Sequence, residues 1–189
     1  MPRWEEGSKD RLKKAALELF GEQGFESTSV IEIAERARVA TRTFFRHFSD
    51  KQEVLFAETD ALKAALVSAI PQAPDVSEPL QLIIDILTRY DWERLGPREV
   101  QRQRHRIIRA NSNLLERELI KHRSIAVGFT DALRKRGVDA DDARLSASVA
   151  IEVFFTAYGH WLESGKQADL PTISVKRHRI GTPYRIAKG

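Results

Sequence analysis

The chain has 189 residues, 42% of them hydrophobic, a composition that fits a packed domain and excludes a disordered one. It contains no cysteine, which excludes disulfides, zinc–thiolate sites and thiol catalysis and suits the reducing cytoplasm. The formal charge of +4 belongs to one end: residues 171–189 hold five Lys/Arg and no acid, so overall basicity is no argument for a nucleic-acid partner.

The opening MPRWEEGSKD carries acids and no apolar run, so no secretory signal is expected there. Leu12, Ala16, Leu19 and Phe20 recur at helical spacing, with Ser8 as the expected cap and Gly24 as the stop. Ser29 followed by Glu32 reads as a capping box opening a short helix that buries Val30, Ile33, Ala34 and Ala37. Arg38-Val39-Ala40 interrupts it. A second short helix, Thr41 to Phe48, carries Phe44 and Phe48 on one side. Ser49 to Gln52 reads as a further cap, starting a long helix to about Ala69 that Pro71 and Pro74 end. Pro79 opens a helix to Tyr90, and Pro97 opens an arginine-rich one to about Ala110. Asn113 to Lys135 follows, with Leu115, Leu119, Ala126, Phe129 and Leu133 as its stripe and Gly137 as its end. Asp139 caps a last helix to about Glu163, before Gly165. The expected fold is all-α. Its segments are a helix-turn-helix domain (8–50), a helical ligand-binding and dimerisation domain (51–170) and the tail. The tail (171–189) reads either as a basic arm or as non-native sequence.

Two short helices joined by a three-residue break have the spacing of a helix-turn-helix. With Phe44 and Phe48 turned inward, the opposite face offers Thr41, Arg42, Phe45 and Arg46. Arg42 suits a bidentate contact to guanine, and Thr41 and Thr43 suit bases or phosphates. Arg46, His47 and Lys51 lie better for the backbone. Arg36, Arg38, Arg42 and Arg46 fall in twelve residues without an acid.

Residues 9–56 resemble the TetR family of bacterial transcriptional regulators. The resemblance runs through Ala15-Ala16-Leu17-Glu18-Leu19-Phe20, Gly24-Phe25, Thr28-Ser29-Val30, Glu32-Ile33-Ala34 and Val39 to Lys51. The C-terminal half loosely resembles the mycofactocin-system type of actinobacterial regulator. The resemblance implies a homodimer that binds a pseudo-palindromic operator and is released by a small-molecule effector. It adds Thr28 and Ser29 to the DNA-binding residues and makes Lys51 a phosphate ligand. Three positions depart from the family pattern: Arg38 where Gly is common, Ala40 where a Ser cap is common, and Phe45 where Tyr is common.

Residues 143–162 hold 13 apolar residues in 20, spread round the helix, which points to a second subunit covering part of it. A membrane span there is disfavoured, because Glu152 near its centre would cost about 2.5–3.5 kcal/mol. Leu87, Tyr90, Trp92, Arg106, Phe129 and Phe154 are the candidate effector-binding residues, each also readable as ordinary core. Arg98, Arg102, Arg106 and Arg109 share a stripe that suits either an anion such as an acyl-CoA phosphate or a solvated face, with Glu116, Glu118 or Asp91 as possible partners. The five histidines form no metal signature, and no nucleophile elbow or phosphate loop is present. No cofactor, metal or catalysis is therefore expected. The alternative to a regulator is a helical interaction module without specific DNA binding.

Overall fold

The computed structural model describes residues 7–164, so the tail and the stop expected at Gly165 lie outside the described residues. Those residues form helices α1 (Ser8–Gln23), α2 (Val30–Arg36), α3 (Thr41–His47), α4 (Glu53–Phe56), α5 (Thr59–Val67), α6 (Pro79–Arg89), α7 (Arg98–Arg109), α8 (Ser112–Lys135) and α9 (Ala140–Glu163). Among them there is no strand, and the fold is all-α. They divide into two compact units. One takes the residues up to Ala64 together with Trp92–His122; the other takes Ala65–Asp91 and the residues from Arg123 onward.

The core of the first unit joins Leu12, Ala16, Leu19 and Phe20 of α1 to Ile33, Phe44, Phe48, Leu55, Phe56, Ile108 and Leu114. Several helix ends follow from local chemistry. Ser29 and Glu32 form the complete capping box, the Glu32 amide donating to Ser29 Oγ and the Ser29 amide to Glu32 Oε2. Gly24 has φ 87°, open only to glycine at low cost, and the Phe25 ring beyond it lies 5.0 Å from Phe20. Other starts differ from expectation. Gly7, not Ser8, is the N-cap of α1, and Ser8 Oγ lies 2.8 Å from His47 Nε2. Gln52, not Ser49, is the N-cap of α4, and the side chain that serves the amides there is Asp50, whose Oδ1 accepts from the Gln52 and Glu53 amides. The long helix expected from Gln52 to Ala69 is broken between Phe56 and Thr59. There Glu58 accepts from Lys13 at 3.0 Å and pairs with Lys9 at 3.2 Å.

In the second unit α6 packs on α9. Pro79 stands at the start of α6, where its missing N–H is not needed, and Ile83 and Leu87 are its buried residues. The buried residues of α9 are half small, Ala143, Ala147, Ala150 and Ala157, and half large, Ile151, Phe154, Tyr158 and Leu162. The rings of Phe154 and Tyr158 stack at 5.9 Å. Asp139 caps α9 through the amides of Asp141 and Asp142. Arg136 just after α8 donates to the carbonyls of Ile70, Pro71 and Ala73, securing the 3-10 turn Ile70–Gln72. The stripe expected on α8 holds for Ala126, Phe129 and Leu133, but Leu114 is the buried leucine near its start while Leu119 is 53% exposed.

Candidate nucleic-acid interface

Helix α2 ends in a turn that sets the direction of α3. The Val39 amide donates to Ala34 O and the Arg38 amide to Glu35 O, both at 3.0 Å, which is the Schellman pattern. Arg38 occupies its left-handed position with φ 55°, a conformation that costs a residue with a Cβ about 1–2 kcal/mol. Ala40 is the N-cap of α3 and offers no side-chain cap; Thr41 is already inside the helix and makes none either. The helix is therefore held by packing. Phe44 is fully buried, Phe48 nearly so, and their rings lie 5.4 Å apart. Losing the Phe44 ring would cost about 3–5 kcal/mol.

The opposite side of α3 faces outward. Arg42 and Arg46 are exposed, and among the described residues their guanidinium groups meet no ion pair or hydrogen bond. Phe45 is 56% exposed, its ring edge-on to Phe44. Thr41 and Thr43 are half-buried on the same short helix. Ser29 is exposed but committed to the capping box. Arg36, nominally part of the basic cluster, is neutralised: Nη1 and Nη2 donate to the two Glu22 oxygens, and Glu18 lies 3.6 Å away.

Three expected DNA contacts sit differently. Thr28 is 2% exposed and its hydroxyl donates to Gly24 O at 2.8 Å. His47 is half-buried against Ser8. Lys51 turns inward. Its ammonium donates to the carbonyls of Phe25 (2.8 Å), Glu26 (3.1 Å) and Thr28 (3.0 Å) and lies 4.4 Å from the Phe25 ring centre. Lysine has three donors, and all three are occupied here.

A hub that the sequence did not reveal lies behind α3. Arg117 of α8 donates to Glu53, Asp50 and Gln52 at the start of α4, and Lys121 lies 3.6 Å from Glu53. Burial disfavours the charged Asp50, yet the Glu53 amide and the Arg117 charge outweigh it and hold its carboxyl below the usual range. Glu53, Asn113, Glu116, Arg117, Ile120 and Lys121 line an open groove of about 430 Å³. No local pattern announces Arg117, because its partners are more than sixty residues away.

The expected effector residues do not line that groove. Leu87, Phe129 and Phe154 are buried and Tyr90 half-buried in the second unit; Trp92 is buried and Arg106 exposed in the first. One arginine of the α7 stripe is paired within its own helix. Arg102 meets Glu99 at 2.6 Å, and Glu118 pairs with Arg104 instead of a stripe arginine. Among the described residues, no helix is long and apolar enough to cross a membrane.

Residues 12–57 match the family of bacterial regulatory proteins, tetR family, a span that contains most of the residues carrying the resemblance. The chain is 45% identical over 74 residues to the HTH-type transcriptional regulator TcmR of Streptomyces glaucescens, covering 39% of this chain and 33% of that one. It thus spans about a third of that relative's length. It is 27% identical over 169 residues to the HTH-type transcriptional activator FasR of Mycolicibacterium smegmatis, covering 84% of this chain and 74% of that one. Its fold is similar to that of the transcriptional regulator FadR from Bacillus subtilis in complex with stearoyl-CoA. The TM-score is 0.54 at 20% identity, over 88% of this chain and 94% of that one.

Proposed function

We infer that the chain, whose residues 12–57 match the family of bacterial regulatory proteins, tetR family, is a one-component transcriptional regulator that binds operator DNA as a homodimer. The observation that carries this reading is α3: a seven-residue helix anchored by two buried phenylalanines, with Arg42, Phe45 and Arg46 exposed on its other side. A helix of that size enters the major groove, and residues near its start reach base edges. Arg42 and Thr43 read bases, Phe45 meets a thymine methyl or sugar, and Thr41 and Arg46 hold phosphates. Ser29, with its capping box, orients α2 against the backbone. Thr28 and Lys51 fix the loop before α2, and His47 fixes the far end of α3. In this reading residues 8–50 are the DNA-binding segment and the helices beyond them bind effector and partner.

The dimer pairs the outer faces of α8 and α9, where Val127 and Leu145 are about half exposed. Two copies of α3 then meet a pseudo-palindrome with half-sites about 34–36 Å apart, or a multiple of that spacing. The effector is a hydrophobic or acyl-CoA-like molecule held near Leu87, Tyr90, Phe129 and Phe154. The fold shared with a stearoyl-CoA complex supports that class. It favours the dimer geometry that cannot span two grooves, so the regulator represses until it arrives; a bias of about 2 kcal/mol changes operator affinity roughly thirtyfold.

Selection of the full chain against a random-sequence duplex pool tests this reading. The expected result is an enriched inverted repeat whose affinity falls by about 10³–10⁵ between 50 and 200 mM salt. A pool that enriches nothing would leave the chain as a helical interaction module.

A further inference from the structure

We propose that Arg38, the residue in the turn between α2 and α3, is a contact to the DNA phosphate backbone; this rests on the regulator reading above. The turn itself has no use for an arginine. Its two hydrogen bonds come from the backbone amides of Arg38 and Val39, and a glycine would make both without the strain of φ 55°. The side chain gives nothing back to the fold. It is exposed, and among the described residues it meets no ion pair, hydrogen bond or ring. The contrast with Arg36 is direct, since that guanidinium, two residues earlier, is saturated by Glu22 and Glu18. Strain that nothing among the described residues offsets points to a partner beyond them, and we take that partner to lie outside the chain.

Position and charge say which partner. Arg38 stands three residues before the first residue of α3, the end of the helix whose neighbours reach into the groove. The chain just before that end meets the groove wall, which is lined by phosphates. No acid occurs between Arg36 and Ser49, and Glu35, the acid just before that stretch, makes no ion pair with Arg38 among the described residues. Arginine binds phosphate as a planar fork and keeps its charge at every relevant pH. Arg38 thereby adds a sequence-independent contact beside the reading residues Arg42 and Thr43.

The inference makes two effects of one substitution run in opposite directions. In the full chain, Arg38→Gly should relieve the turn and raise the melting temperature by about 1–4 °C. On the duplex enriched from the random pool, the same variant should bind roughly 10- to 60-fold more weakly at 0.1 M salt, and its log–log salt slope should shrink by about 1.8, for two contacts per dimer. Arg38→Gln should lose affinity as Arg38→Gly does, and Arg38→Lys should keep most of the slope. Unchanged affinity and slope in Arg38→Gly overturns the proposal. So does a loss in Arg38→Gly that Arg38→Gln restores, because the effect would then lie in the shape of the turn. Failure of the unsubstituted chain to enrich any duplex is a different result, and it removes the regulator reading itself.

Discussion

The ammonium of Lys51 donates to the carbonyl of Phe25 at 2.8 Å, closing a stretch of 26 residues. The same group also serves Glu26 and Thr28, so it gathers the carbonyls of the loop between α1 and α2 into one cationic seat. Lys51→Met should lower stability by about 2 kcal/mol, read as a melting temperature several degrees lower. The salt slope of DNA binding should scarcely change. A normal melt with a flattened slope would instead assign the lysine to a phosphate.

Arg42 is exposed one position into α3, and its guanidinium is unengaged among the described residues. Arg42→Ala should cost about 1–3 kcal/mol of operator binding and relax preference at one base step in each half-site. The measurement is affinity across a panel of single-base operator variants. A uniform loss across the panel would make Arg42 a backbone contact.

Burial of His122, and secondarily the charge of Arg104, lower its pKa to about 4. The folded protein therefore keeps this imidazole neutral, while the unfolded chain protonates it near pH 6.5. Stability from this group is full above pH 6.5 and is lost as pH falls towards 4, by up to about 3 kcal/mol. Thermal melts across that range should show the decline, and His122→Asn should flatten it. Parallel pH profiles for the two proteins would place the acid sensitivity elsewhere.

Leu145 is 52% exposed on α9. If the outer face of that helix joins two subunits, Leu145→Arg should halve the mass seen by light scattering and weaken operator binding steeply. A dimer that survives the arginine must be built on another surface.

Much of the fold was legible because several helix ends are written in nearby residues. The Ser29–Glu32 box, Asp139, Pro79 and Gly137 could be read within a few positions of chain, whereas the turn at Arg38 was marked only by the family resemblance. The failures share a cause. Ser8 was spent on His47, 39 residues away, and Asp50 accepts from amides before α4 where Ser49 was expected to, while also meeting Arg117. The break after Phe56 coincides with Glu58, which is held by Lys9 and Lys13 of α1. On α8 no single stripe could serve, because Leu114 belongs to the core of the first unit and Phe129 lies in the second. The outward residues of α3 were legible from the spacing of Phe44 and Phe48. The inward turn of Lys51 was not, since only the folded loop supplies its acceptors.

An alanine has no rotamer to change, and four of them line the face by which α9 is buried. That seam is mechanically stiff: it cannot swell around a guest by rearranging methyl groups. A guest in the second unit would have to be met by the larger side chains, Ile151, Phe154, Tyr158 and Leu162, or by α6 sliding along α9 as a rod. A sliding helix converts a small insertion into a displacement of its whole length, which is how a stiff seam can report occupancy at a distance.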